Sequence, residues 1–209
     1  MNDFTPLDRT SAKAQQILTG AREAFRELGY EGASTDEIVR RAGVSKGTLY
    51  KYFADKPTLF AAVVEVECRE QAEHLFQLSA QFDDIEQTLR EIARNLVQLI
   101  LSPFMQGIFR LAVAESQRFP DLARAFYSAG PDLGIRRMSQ LLAAAVARGE
   151  LEIKDVELAA HQFEQLCKAD VFFKCLFQVK ASFREDEINR VADGAVDTFL
   201  RAYRPRCRA

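Results

Sequence analysis

Apolar residues recur at three- and four-residue spacing along almost the whole chain, and no run alternates with the period of two that a strand would need. Ala14, Ile17, Leu18, Ala21, Phe25 and Leu28 form one such stripe, closed by Gly29, and predict a first helix. Ser34, with Glu37 three residues on, is a capping-box signature for a short second helix that turns Ile38 inward and stops at Ala42-Gly43. Ser45 caps a third short helix anchored by Leu49 and Phe53. Asp55 caps a fourth, long helix carrying Leu59, Phe60, Val63 and Val64, then Leu75 and Phe76.

The remainder repeats this grammar. Asp83 with Glu86 opens a helix running to Leu101, and Ser102-Pro103 is a cap followed by a first-turn proline. Phe119-Pro120-Asp121 begins another helix, interrupted at Gly130-Pro131 and resumed to Gly149. Asp155 starts a strongly apolar helix from Val156 to Val179, and Ser182 with Glu185 caps the last one, which ends before Pro205. The pattern predicts an all-α chain of about nine or ten helices.

Composition narrows the functional classes. With 209 residues, 48% of them hydrophobic and 28% charged, the chain can bury one sizeable core or two small ones. A formal charge of -2 advertises no polyanionic partner globally. Residues 33–56 are different: Arg40, Arg41, Lys46, Lys51 and Lys56 outnumber Asp36, Glu37 and Asp55, a mild local surplus of positive charge. No apolar run approaches bilayer length, and MNDFTPLDRT lacks a basic flank followed by an apolar core, so a soluble cytoplasmic protein is expected.

Cys68, Cys167, Cys175 and Cys207 form no CxxC pair, and Cys167 and Cys175 lie eight residues apart on one predicted helix, roughly 12 Å of rise. Buried thiols are expected. The two histidines, His74 and His161, belong to no HxxxH, HExxH or nucleophile-elbow pattern, so metal and triad chemistry lack their parts and no cofactor is implied.

The stretch from Thr35 to Phe53 carries the chemistry. A helix, a tight turn at Gly43 and a second helix within about twenty residues match the helix-turn-helix plan, whose second helix enters the major groove of DNA. With Leu49 at the core-facing pole, Phe53 falls beside it, Gly47 and Lys51 fall opposite, and Thr48 and Tyr50 lie on the flanks. A glycine inside a helix costs about 1 kcal/mol relative to alanine, which makes sense where the backbone must come close to a base edge or thymine methyl. Thr35 and Lys56 stand at helix starts, where free N–H groups favour anions. Tyr50 and Tyr52 can donate to phosphate, and Lys46 and Lys51 can supply charge. The bland alternative makes the tyrosines packing residues and the lysines a solvated face.

The run AFRELGYEGASTDEIVRRAGVSKGTLYKYFADKPTLF, Ala24 to Phe60, closely resembles the N-terminal domain of the TetR (tetracycline repressor) family of bacterial regulators. The matching elements are F-x-x-x-G-Y, S-T-x-x-I, A-G-V-S-K-G-T-L-Y-x-Y-F and x-K-x-x-L-F. The resemblance implies phosphate contact for Thr35, groove positions for Lys46, Gly47, Thr48 and Tyr50, and backbone contacts for Lys51, Tyr52 and Lys56. Pro57 stands where the family often has an acid; a proline is tolerated in a first helical turn.

The same resemblance implies a three-helix DNA-binding domain over residues 1–55, joined by a long helix to a helical effector-binding and dimerisation domain over 56–209. It further implies a homodimeric, ligand-responsive regulator, a repressor, that binds a palindromic double-stranded operator and releases it when a small hydrophobic or amphipathic effector binds. Candidate effector-pocket residues are Phe76, Met105, Phe109, Phe126, Tyr127, Met138 and Phe163. Candidate dimer-interface residues on the final two helices are Phe172, Leu176, Ile188, Val191, Ala195 and Phe199. A non-sensing DNA binder and a redox sensor acting through Cys167 or Cys175 stay open as rivals.

Overall fold

The computed structural model describes residues 11–79, 84–118 and 120–205, and among them every regular element is a helix. In chain order these are α1 (Ala12–Gly32), α2 (Thr35–Ala42), α3 (Lys46–Tyr52), α4 (Lys56–Ser79), α5 (Ile85–Leu101), α6 (Pro103–Glu115), α7 (Pro120–Ala129), α8 (Pro131–Ala147), α9 (Val156–Lys168), α10 (Phe172–Leu176) and α11 (Glu185–Tyr203). Two compact units divide the chain: one runs through Cys68 and adds Arg110–Ala129, and the other comprises Arg69–Phe109 and the residues from Gly130 onward. The compact units therefore part within α4, whereas the functional split expected above falls at its first residue.

In the first unit, α1 is N-capped by Ser11, whose hydroxyl accepts from the Ala14 N–H at 3.2 Å. Its helical backbone is interrupted at Gly29 (φ 71°), where the sequence pattern closes it. Ile17, Ala21 and Phe25 bury one face of α1, Ile38 of α2 is buried as well, and the Phe25 ring meets Phe60 of α4. Phe60 meets Phe25 and Tyr30 edge to face, 4.9 Å from each, while Phe25 and Tyr30 stack at 5.9 Å. Where α1 crosses α2, a Cβ added at Gly20 would stand 2.5 Å from the Ala42 backbone nitrogen, so only glycine admits this approach.

One charged group is sealed inside this unit. Glu67 of α4 is 1% exposed and is held by two arginines of α1, Arg22 and Arg26, the latter at 3.4 Å. A buried carboxylate needs such pairing, and removing one partner typically costs about 3–5 kcal/mol. The cluster fastens α1 to α4.

The second unit packs α5, α8, α9 and α11 around Leu89, Ile92, Leu142, Phe163, Val196 and Phe199. Phe163 and Phe199 meet edge to face at 5.2 Å. Arg90 of α5 reaches Glu86, Asp193 and Asp197 at 2.8–3.1 Å, tying α5 to α11 outside this core. Gln106 of α6 is 2% exposed and donates from Nε2 to the Ile100 carbonyl at 2.6 Å, satisfying one of the free oxygens at the end of α5.

Several boundaries differ from the sequence reading. The predicted Val156–Val179 helix is broken: α9 stops at Lys168, and α10 is a separate short turn. Asp170 lies in the left-handed region (φ 66°), which aspartate tolerates better than most residues, and its carboxylate is held there by Lys174 and Arg190. The N-cap of α11 is Arg184 rather than Ser182, because the Glu187 carboxylate accepts from the Arg184 N–H at 3.1 Å. Asp84 caps α5 through the Glu86 N–H at 3.2 Å, while the expected cap Asp83 lies outside the described residues. Ser102, Asp155 and the proline starts of α6 to α8 stand as the pattern predicts.

Candidate nucleic-acid interface

The helix pair is built by caps and a left-handed turn. Ser34 Oγ accepts from the Glu37 N–H at 3.2 Å and starts α2. At the other end Gly43 adopts φ 60°, ψ 39°, and the Val44 N–H returns to the Val39 carbonyl at 3.1 Å. A Cβ would be strained in that conformation, so the glycine sets the turn. Ser45 then caps α3, accepting from the Thr48 N–H at 3.1 Å, and its hydroxyl lies 2.9 Å from Thr48 Oγ1.

Ion pairs stiffen α2. Arg40 and Arg41 both donate to Glu37 at 2.6–2.8 Å, and Arg41 also reaches Glu27 of α1 at 2.6 Å. These hydrogen bonds hold the Glu37 carboxyl well below its ordinary range, at about 2. Gln16 Nε2 adds a 2.6 Å bond to the Ala42 carbonyl at the end of α2.

All eight residues expected to contact DNA lie on α2, α3 and the first turn of α4. Leu49 and Phe53 are fully buried, which turns the opposite side of α3 outward. Lys46, Gly47, Tyr50 and Lys51 are exposed, while Thr35, Thr48, Tyr52 and Lys56 are half-buried. A Cβ at Gly47 would meet only Ser45 Oγ, at 3.8 Å, so nothing within the chain requires a glycine there. Lys56 is more than a free charge: its ammonium lies 4.4 Å from the Tyr30 ring centroid, and burial pushes its pKa below the ordinary range.

One ion pair here does not follow from the sequence pattern. Lys46 Nζ lies 2.7 Å from Asp36 Oδ1, joining the first residue of α3 to the second of α2. Its only signal in sequence was an acid inside a mildly basic stretch.

The other expected sites are less gathered. Met138 (4% exposed) and Phe163 (1%) are core residues of the second unit. Met105 is buried, and Phe109 is half-buried with its ring 5.1 Å from Phe172. Phe126 and Tyr127 belong to the first unit, and Tyr127 is 55% exposed. The Phe76 side chain lies outside the described residues. On α11, Val191, Ala195 and Phe199 face inward, as does Phe172 on α10, so these side chains are spent in the protomer's own packing. Ile188 and Leu176 are half-buried. The apolar side chains that do stand out here are Phe173 and Phe177, 64% and 70% exposed, with ring centroids 5.8 Å apart. Cys68, Cys167 and Cys175 are buried and form no disulfide with one another, and burial pushes the Cys68 and Cys167 thiols up to about 12.

Two capped helices around a left-handed glycine, the second presenting lysine, tyrosine and glycine outward, define the helix-turn-helix class of DNA-binding regulators. Residues 17–63 match the family described as bacterial regulatory proteins, tetR family, and residues 87–205 match the C-terminal domain of AefR-like transcriptional repressors. The chain belongs to the TetR family.

Among its relatives, the repressor AcnR of Corynebacterium glutamicum is 38% identical over 66 residues, 32% of this chain and 35% of that protein's length. A TetR-family regulator from Mesorhizobium loti superposes with a TM-score of 0.85 at 29% identity, covering 95% of this chain and all of the other. The flavonoid-responsive regulator FrrA is 33% identical with a TM-score of 0.70, covering 93% of this chain and 98% of its own. These proteins are named as regulators, as is the family to which this chain belongs. Among the described residues no single helix is long and apolar enough to cross a membrane.

Proposed function

We propose that the protein is a cytoplasmic repressor that binds a palindromic operator as a homodimer and leaves it when a small amphipathic effector binds. Residues 1–55 serve as the reading head and 56–209 as the effector-binding and dimerisation part. The observation that carries this reading is Gly47: a helix-weakening residue on an exposed face, with no packing reason inside the chain. A base edge or thymine methyl drawn against the α3 backbone supplies the missing reason. Lys46, Thr48 and Tyr50 read the groove, and Thr35, Lys51, Tyr52 and Lys56 hold phosphates.

Two symmetry-related half-sites need two heads, which makes a two-fold dimer the economical assembly. With much of the α11 seam buried in the protomer, the stacked and exposed Phe173 and Phe177 of the α10 region supply its apolar contact. FrrA is described as flavonoid-responsive, so hydroxylated aromatic compounds of that class are the first effectors to screen. Effector binding alters the separation of the two heads, and this requires unequal effector affinity with and without operator. Burial argues against redox control at Cys167, whose thiol is pushed up to about 12 and so holds little thiolate near neutral pH.

Selection of bound duplexes from a random-sequence DNA pool at moderate salt tests the proposal. A recovered palindrome supports dimeric, sequence-specific readout and supplies the operator for effector screening. Recovery of sequence-blind, salt-sensitive binding alone would leave an architectural DNA binder instead.

A further inference from the structure

Asp36 is out of place on a surface that meets DNA. Its side chain is 74% exposed at the start of α2, and a carboxylate there opposes the approach of phosphates. It stands 2.7 Å from Lys46 Nζ, so it also cancels charge that the recognition helix would bring. Fold stability does not account for it either, because an ion pair this exposed contributes little. Lys46, half-exposed at 49%, remains protonated, its ammonium held above the ordinary range by the Asp36 carboxylate.

Base-edge chemistry does account for the pair. In the major groove a G·C pair shows the guanine O6 and N7 acceptors beside the cytosine N4 donor. The O6 and N4 atoms are themselves joined by an N–H···O bond of about 2.9 Å, which closely matches the Lys46–Asp36 spacing. An ammonium has three donors and a carboxylate about four lone-pair sites, so both groups keep capacity for the base pair while staying bonded to each other. The donor lies on the first residue of α3 and the acceptor on the second residue of α2, next to Thr35.

We propose that Asp36 and Lys46 together read one C·G base pair in each half-site, Lys46 donating to the guanine and Asp36 accepting from the cytosine amino group. This rests on the operator-binding reading above. A lone lysine at this place would prefer guanine without fixing its partner's edge; the carboxylate adds a requirement for the cytosine N4 donor.

The test uses the operator that the wild-type chain selects, with each base pair replaced in turn, and compares wild type with Asp36→Ala. Wild type is expected to lose about tenfold or more in affinity when one symmetric C·G pair per half-site is changed. In Asp36→Ala that penalty should fall to about twofold or less while the penalties at other positions persist. Thermal unfolding should be unaltered, since the side chain is exposed. Should Asp36→Ala bind every duplex more tightly, with a steeper salt dependence and the C·G penalty intact, Asp36 merely neutralises Lys46 and the inference is overturned. A wild-type chain that selects no preferred sequence would instead overturn the operator reading itself, and this inference with it.

Discussion

Gly47, Asp36 and Glu37 show how differently single residues of the same helix pair are constrained. Gly47→Ala should leave the fold intact or raise its stability by up to about 1 kcal/mol, because the added methyl meets only Ser45 Oγ at 3.8 Å. The same change should weaken operator binding by about tenfold or more, since the new Cβ fills the gap the DNA needs. Thermal melts and operator titrations on one preparation check both halves; a variant that binds normally would remove the reason offered for the glycine. Tyr50→Ala should likewise weaken operator binding without shifting the melt, as the ring is 39% exposed.

Glu37 makes a prediction about pH. Its folded pKa, about 2, lies below its ordinary 4.5, so its ion pairs stabilise the head above pH 4.5 and lose that contribution as pH falls toward 2. Glu37→Gln should erase this part of the acid dependence in melts recorded from pH 7 to pH 2. At this scale the outward side of α3 was legible from sequence because the spacing of Leu49 and Phe53 fixes which side faces in. Asp36 was not, since an i-to-i+10 contact between two helices follows from their crossing and not from either helix's period.

Between helices, close approach and backbone strain decide what the pattern alone cannot. Gly20 reads as an indifferent small residue in a helical stripe, yet the backbone of Ala42 lies within 3 Å of where its side chain would begin. Gly20→Ala, which helix propensity alone would favour, should destabilise the head by about 1–3 kcal/mol, measured by thermal or denaturant unfolding. The opposite signs expected for Gly20→Ala and Gly47→Ala separate a packing glycine from a ligand-facing one. Caps were legible at Ser34, Ser45 and Asp155, where a side chain accepts from an N–H three residues on; Ser11, which caps α1 in the same way, was not read. The break between α9 and α10 was hidden because the apolar positions of Val156–Val179 keep helical spacing through it. What interrupts that helix is one left-handed aspartate held by two cations, a tertiary arrangement with no periodic trace.

For the whole molecule, the all-α class was readable, but the break that makes two helices of Val156–Val179 and the use of each apolar face were not. Val191, Ala195 and Phe199 look like a seam from sequence because periodicity tells only that a stripe is buried, not whether its own chain or a second copy buries it. They fill the protomer's core, while Phe173 and Phe177 remain outside. Phe173→Glu should therefore convert the proposed dimer to a monomer by sedimentation equilibrium and lower operator affinity, with little change in helical content. Phe163→Ala, by contrast, should cost about 3–5 kcal/mol of stability, because its ring lies against Phe199 within the core.

The central claim is sequence-specific readout by a paired helix-turn-helix head. Titrating the wild-type chain with the selected palindrome and with a scrambled duplex of equal length, at one physiological salt concentration, tests it most directly. The predicted result is at least about a thousandfold preference for the palindrome, with two chains bound per duplex. Equal affinity for the two duplexes would contradict it.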